Sequence, residues 1–160
     1  MTVEVGSSIP DTVVKVMRDG KPEEVRTADV LGKGKVVLFA VPGAFTPGCS
    51  KIHLPGYVEH GAELKAKGVD TIACIAINDA WVMEAWGQAH GVGDDILMLA
   101  DGNGEFTAAM GLTADMSGIG LGTRSKRYAA VIEDGTITSL EVEPAPGVDV
   151  SSCENLLTKV

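Results

Sequence analysis

The chain has 160 residues, 45% of them hydrophobic and 22% charged, which is enough for one domain with a single sizeable core and argues against long disorder. A net charge of -9 and a pI near 4.7 give a field that repels phosphate backbones and anionic lipid, so nucleic acid and membrane partners are not expected. The opening MTVEVGSSIPD lacks the basic and apolar regions of a secretory signal, and no run reaches membrane-spanning length. The expected location is the cytoplasm, or an organelle if a leader has been removed.

In chain order, residues 13–17 and the charged stretch after Asp19-Gly20 read as a hairpin on an Asp-Gly turn. Residues 27–31 predict one helical turn ending at Gly32. The apolar run KVVLFAV over 35–41 predicts a central strand covered on both faces. A helix follows from Cys49 to about residue 67, kinked near Pro55, with Tyr57, Val58, Ala62 and Leu64 as its apolar stripe. Residues 70–77 predict a second buried strand. Asn78-Asp79 then caps a helix with Val82, Ala85, Trp86 and Ala89 on its inner face.

Residues 96–100 form a third apolar strand and 104–110 a short helix, while 111–123 is glycine-rich and reads as irregular. RYAAVIE and TITSLEVE, joined by Asp134-Gly135, predict a hairpin. Ser151 and Glu154 have capping-box spacing at the start of a last helix running to about residue 158. Alternating βα units followed by a hairpin and a helix predict an α/β fold around a mixed central sheet, in one domain covering residues 1–160.

The chemistry concentrates in PGAFTPGCSKIHLPGY, residues 42–57, where a cysteine lies in the turn from a strand into a helix. The first amides of a helix favour an anion, so a thiolate is expected at Cys49. Thr46 offers a hydroxyl donor three residues earlier, Pro47 and Gly48 permit close backbone approach, and a basic residue from elsewhere would complete the set. Ionisation alone gives little: full ionisation of an ordinary thiol gains about 30-fold, and the accompanying loss of nucleophilicity is about 13-fold. Useful rate has to come from donors that hold the attacked group, each worth about 3 kcal/mol.

Three cysteines without a CxxC argue against a disulfide framework, and Cys49 with His53 is a solitary pair that does not make a zinc site. His53 reads as packing beside Pro55, with tuning of the thiolate or contact with substrate as the alternative. Cys74, flanked by apolar residues, reads as an inert core thiol. Cys153 falls in the first turn of the last helix, where the dipole is expected to lower its pKa and make it a candidate resolving thiol. Trp81 and Trp86 read as core or subunit-interface residues, and Met110, Met116 and Ile119 as a pocket rim or dimer surface.

The string Pro42-x-x-x-Thr46-x-x-Cys49, with GVDTIACIAIND, LMLAD and SKRYAAVIEDG in order behind it, resembles the peroxiredoxins, and within them the type II or peroxiredoxin-5 group. The resemblance implies a thioredoxin-like fold and a thiol peroxidase without metal or cofactor. It implies Cys49 as the peroxidatic cysteine, Thr46 as the group binding peroxide oxygen, Pro42 as a shield from water, and Arg127 as the holder of thiolate and peroxide. Arg124 is a second candidate for that last role, and Gly48 and His53 are secondary site residues. Thioredoxin or glutathione/glutaredoxin is the implied reductant and a homodimer the implied assembly. A peroxide sensor using the same cysteine is the alternative function.

Overall fold

The computed structural model describes residues 2–160. Seven strands form one mixed sheet: β1 (Val13–Arg18), β2 (Lys21–Arg26), β3 (Lys35–Ala40), β4 (Thr71–Ala76), β5 (Leu97–Ala100), β6 (Tyr128–Glu133) and β7 (Thr136–Val142). Their spatial order is β2-β1-β5-β4-β3-β6-β7. β3, β4 and β5 run parallel, joined by crossovers through α-helices, and the two hairpins flank them antiparallel. Both hairpins turn on an Asp-Gly pair with positive φ at each residue, 52° and 75° at Asp19-Gly20 and 48° and 84° at Asp134-Gly135. That is the backbone twist for which the Asp-Gly signal is selected.

Alternation along the strands divides the core in two. Val37, Phe39, Ile72, Cys74, Ala129 and Val131 face one side. There α2 (Leu54–Ala66), α3 (Ala80–Ala89) and α5 (Cys153–Leu157) pack on them through residues such as Leu64, Met83, Trp86 and Leu156. Val36, Leu38, Ala73, Ile75 and Ala130 face the other, under α1 (Thr27–Val30) and α4 (Glu105–Met110). Burying each large aliphatic side chain contributes about 1.5–3 kcal/mol.

Several expectations need correction. The inner face of α2 is Leu54, Tyr57, Gly61 and Leu64, with Val58 and Ala62 turned outward. The inner face of α3 is Ala80, Met83, Trp86 and Gly87, with Ala85 and Ala89 outward, because one-residue alanines satisfy either face and the large Met83 and Trp86 decide. Met110 is buried rather than on a rim, while Trp86 takes the core alternative and Trp81, exposed, keeps the surface one. The stretch 111–123 is not wholly irregular: Thr113–Asp115 pairs antiparallel with Thr123–Ser125 around a 3-10 turn, Ser117–Ile119. The cap of α5 is Ser152, whose hydroxyl accepts from the Asn155 amide, and not Ser151.

Candidate active site

β3 ends at Ala40 and hands the chain to Pro42, and the helical segment starts at Pro47, whose missing N–H is no loss in a first turn. The next stretch, Cys49–His53, is a π-helical turn in which the Leu54 amide reaches the Cys49 carbonyl. Pro55 explains the widening: it has no N–H to give, and the register reorganises before it. Cys49 and His53 thus sit on one wide turn that faces the sheet.

The turn is tied from several sides. The Thr46 hydroxyl donates to the Gly43 carbonyl at 2.6 Å, and the Ala44 amide donates to Asn78 Oδ1 at 2.9 Å. Trp86 Nε1 on α3 donates to Ser50 Oγ at 2.9 Å. Phe45 takes φ 64° while remaining exposed, a left-handed conformation that costs a non-glycine residue about 1–2 kcal/mol. Neither Asn78 nor Ser50 stands out in the sequence as a support for this turn. Asn78 sits beside a helix cap and looks like part of it.

Arg127 is the basic group that completes the arrangement. Its Nη2 donates to Cys49 Sγ at 3.2 Å and its Nη1 to His53 Nδ1 at 2.9 Å. Gly48 makes room, since a Cβ there would stand 3.2 Å from the same Nη2. Arg124 does something else: its Nε donates to the Leu121 carbonyl at 2.9 Å and its Nη1 to the Ile77 carbonyl at 3.2 Å, with the Pro42 carbonyl at 3.5 Å. It steadies the backbone at Pro42 and has no contact with sulfur.

His53 is not a simple packing residue. It is 1% exposed, and its Nε2 lies 3.0 Å from the Ser151 carbonyl, which also accepts from Tyr57 OH at 2.8 Å. A guanidinium only donates, so Nδ1 is the acceptor and Nε2 carries the proton. Burial, and then the adjacent Arg127 charge, push His53 down to about 3, so the imidazole is neutral.

Cys49 is fully buried, and the guanidinium in contact with its sulfur is what sets it apart from a core thiol. One expectation about the sulfurs changes. Cys153 opens α5 as expected, yet burial, reinforced by Glu63 and Glu154, pushes its thiol up to about 12. Desolvation outweighs one short helix's dipole. Burial likewise raises Cys74 well above the usual range, consistent with a core thiol. All three cysteines are free. The Thr46 hydroxyl has committed its proton to Gly43, so toward a bound molecule it offers lone pairs rather than the donor foreseen.

Both the sequence and the fold have known relatives. The Redoxin family profile matches residues 4–157. The chain belongs to the peroxiredoxins. It is 47% identical to peroxiredoxin-2E-2, chloroplastic, of Oryza sativa subsp. japonica, over 98% of this chain and 72% of that protein. It is 40% identical to peroxiredoxin-2B of Arabidopsis thaliana over 97% and 96% of the two. The crystal structure of reduced Prx3 from Vibrio vulnificus in complex with hydrogen peroxide superposes with a TM-score of 0.94, at 44% identity and 99% coverage of both chains. The thioredoxin-like fold and the thiol peroxidase activity of the family follow for this member.

Proposed function

We propose that the protein reduces hydrogen peroxide and small organic hydroperoxides through Cys49, with Arg127, Thr46 and Pro42 as the groups that hold and shield the reacting atoms. The observation carrying this reading is the Arg127 Nη2 to Cys49 Sγ contact of 3.2 Å. The thiolate attacks one peroxide oxygen; the S–O bond forms as the O–O bond breaks, leaving a sulfenic acid and an alkoxide or hydroxide that takes a proton from water. Thr46 accepts from the O–H of the attacked oxygen, and Arg127 with the first-turn amides stabilises the charge leaving sulfur. Because Cys49 is buried at rest, peroxide enters as the half-buried residues at its rim, Pro42, Thr46 and Gly48, shift. Donors and an acceptor set for two adjacent oxygens select the O–O bond over other electrophiles.

A second thiol reduces the sulfenic acid. While α5 stays folded, the raised and buried thiols of Cys74 and Cys153 are poor nucleophiles, which favours glutathione or glutaredoxin. If α5 unwinds, Cys153 becomes the resolving cysteine and thioredoxin the reductant. In this reading the 160 residues act as one domain, supported by a single sheet joining strands from residue 13 to 142, and pair as a homodimer, with the exposed Phe45 and Ile52 beside the cysteine turn as support. No helix of the described residues is long and apolar enough to cross a membrane. A chloroplast-like organelle is the proposed compartment, ahead of the cytoplasm, on the names of two relatives.

Replacing Cys49 with serine tests the core of this. The variant should retain under about 1% of thiol-dependent peroxide consumption, since hydroxyl cannot replace thiolate here. Undiminished consumption overturns the mechanism, and a single stoichiometric oxidation of the wild type without reductant-driven cycling favours a sensor.

A further inference from the structure

Resting on the peroxidase reading, we propose that Glu143 is a positioning residue for Arg127, acting through Ser151 and His53. Glu143 follows directly on β7, and its backbone amide donates to the Arg127 carbonyl at 3.0 Å. Its carboxylate oxygen Oε2 accepts three hydrogen bonds: from the Asp149 amide at 2.7 Å, the Ser151 amide at 2.9 Å and the Ser151 hydroxyl at 2.6 Å. Those bonds fix the Ser151 carbonyl, which accepts from His53 Nε2 at 3.0 Å. His53 Nδ1 in turn accepts from Arg127 Nη1, leaving Nη2 on the Cys49 sulfur.

The bonds close a ring that begins at the Arg127 backbone and returns to the Arg127 guanidinium. Each link has one function. The Ser151 carbonyl selects the His53 tautomer with a bare Nδ1, and a bare Nδ1 is the only form that can receive the guanidinium. The intervening segment, PAPGVDV, has mostly exposed residues, so the carboxylate is what brings its far end back to the sheet. Without it, Ser151 keeps only the bonds that Tyr57 and His53 make to its carbonyl, that carbonyl is held less firmly, and the imidazole that aims the guanidinium is held less firmly with it. The change need not disturb the packed core on which the fold depends.

The test measures sulfenate formation by stopped flow in Glu143→Ala, Glu143→Gln and the wild type, with thermal unfolding alongside. Glu143→Ala should react about tenfold more slowly with hydrogen peroxide, the loss that about 1.4 kcal/mol of positioning represents. Glu143→Gln, whose one carbonyl oxygen can take the place of Oε2 toward all three donors but carries no charge, should fall between. The decisive readout is a double-mutant cycle: in an Arg127→Ala background, either substitution should leave the residual rate unchanged within about twofold. A full additional loss in that background, or wild-type rates in both single variants, overturns the proposal. If Glu143→Ala does not fold, the cycle is run with Glu143→Gln. A wild type that forms no sulfenate defeats the peroxidase reading itself, a result distinct from an active wild type indifferent to Glu143.

Discussion

The 3.2 Å contact between Arg127 and the Cys49 sulfur uses only half of the guanidinium, and the other half is spent 2.9 Å away on His53. This two-pronged geometry is what distinguishes arginine from lysine at the position. A lysine ammonium is a point donor on a flexible stem and cannot hold both groups in one plane. Arg127→Lys should therefore lower the second-order rate with hydrogen peroxide by about 100-fold, the usual consequence of losing one aimed donor, while the fold persists. A rate within about threefold of wild type in stopped flow would mean that charge alone suffices. At this scale the sequence was informative wherever spacing carried the message. Pro42, Thr46 and Cys49 stand in one short string, and the Arg127 versus Arg124 choice could have been resolved by strand parity. Arg127 lies two residues from Ala129 and four from Val131, both of which face the core that holds Cys49. The roles of His53 and Glu143 were not legible, because their partner Ser151 is 98 residues from the histidine and nothing local announces a carbonyl acceptor.

Among the elements, α5 is the one whose stability bears on chemistry. It has five residues, too few to persist through helix propensity, and it is held by the Ser152 cap and by packing of Leu156. Cys153 is its first residue, so the exposure of that thiol is governed by local opening. Removing the cap with Ser152→Ala should destabilise α5 by about 1 kcal/mol and raise the rate of Cys153 alkylation by iodoacetamide about fivefold, with Cys49 blocked or replaced by serine. An unchanged alkylation rate would show that Cys153 is reached without opening α5. Capping-box spacing located this helix but chose the wrong serine by one residue, since Ser151 is diverted to Glu143. The π-helical turn at Cys49–His53 was foreseen only as a kink, because Pro55 marks where a hydrogen bond is missing without stating how the preceding turn compensates.

Across the whole molecule, three regions distant in the chain meet at the Cys49–His53 turn: the β3 exit that leads into it, Arg127 at the start of β6, and Ser151 before α5. The strands were readable from apolar runs and Asp-Gly turns, whereas this convergence depends on β3 lying between β4 and β6, which no local pattern encodes. Convergence also buries an imidazole, and that makes stability depend on pH. His53 titrates near 3 when folded and near 6.5 when unfolded, so between those values the unfolded chain binds the extra proton. The stability due to neutral His53 is intact above pH 6.5 and is lost as pH falls toward 3, by about 1.4 kcal/mol per pH unit in the steep part. His60 works in the opposite direction: hydrogen bonding to Glu63 raises its pKa, which adds some stability on acidification, but it is exposed and weak. Urea unfolding should accordingly show the wild type losing about 2 kcal/mol between pH 6.5 and 5, with His53→Gln starting less stable but nearly flat over the same interval. Parallel pH profiles for the two proteins would mean that His53 is already solvated in the native state, and the hydrogen-bonded bridge from Arg127 to Ser151 would fail with it.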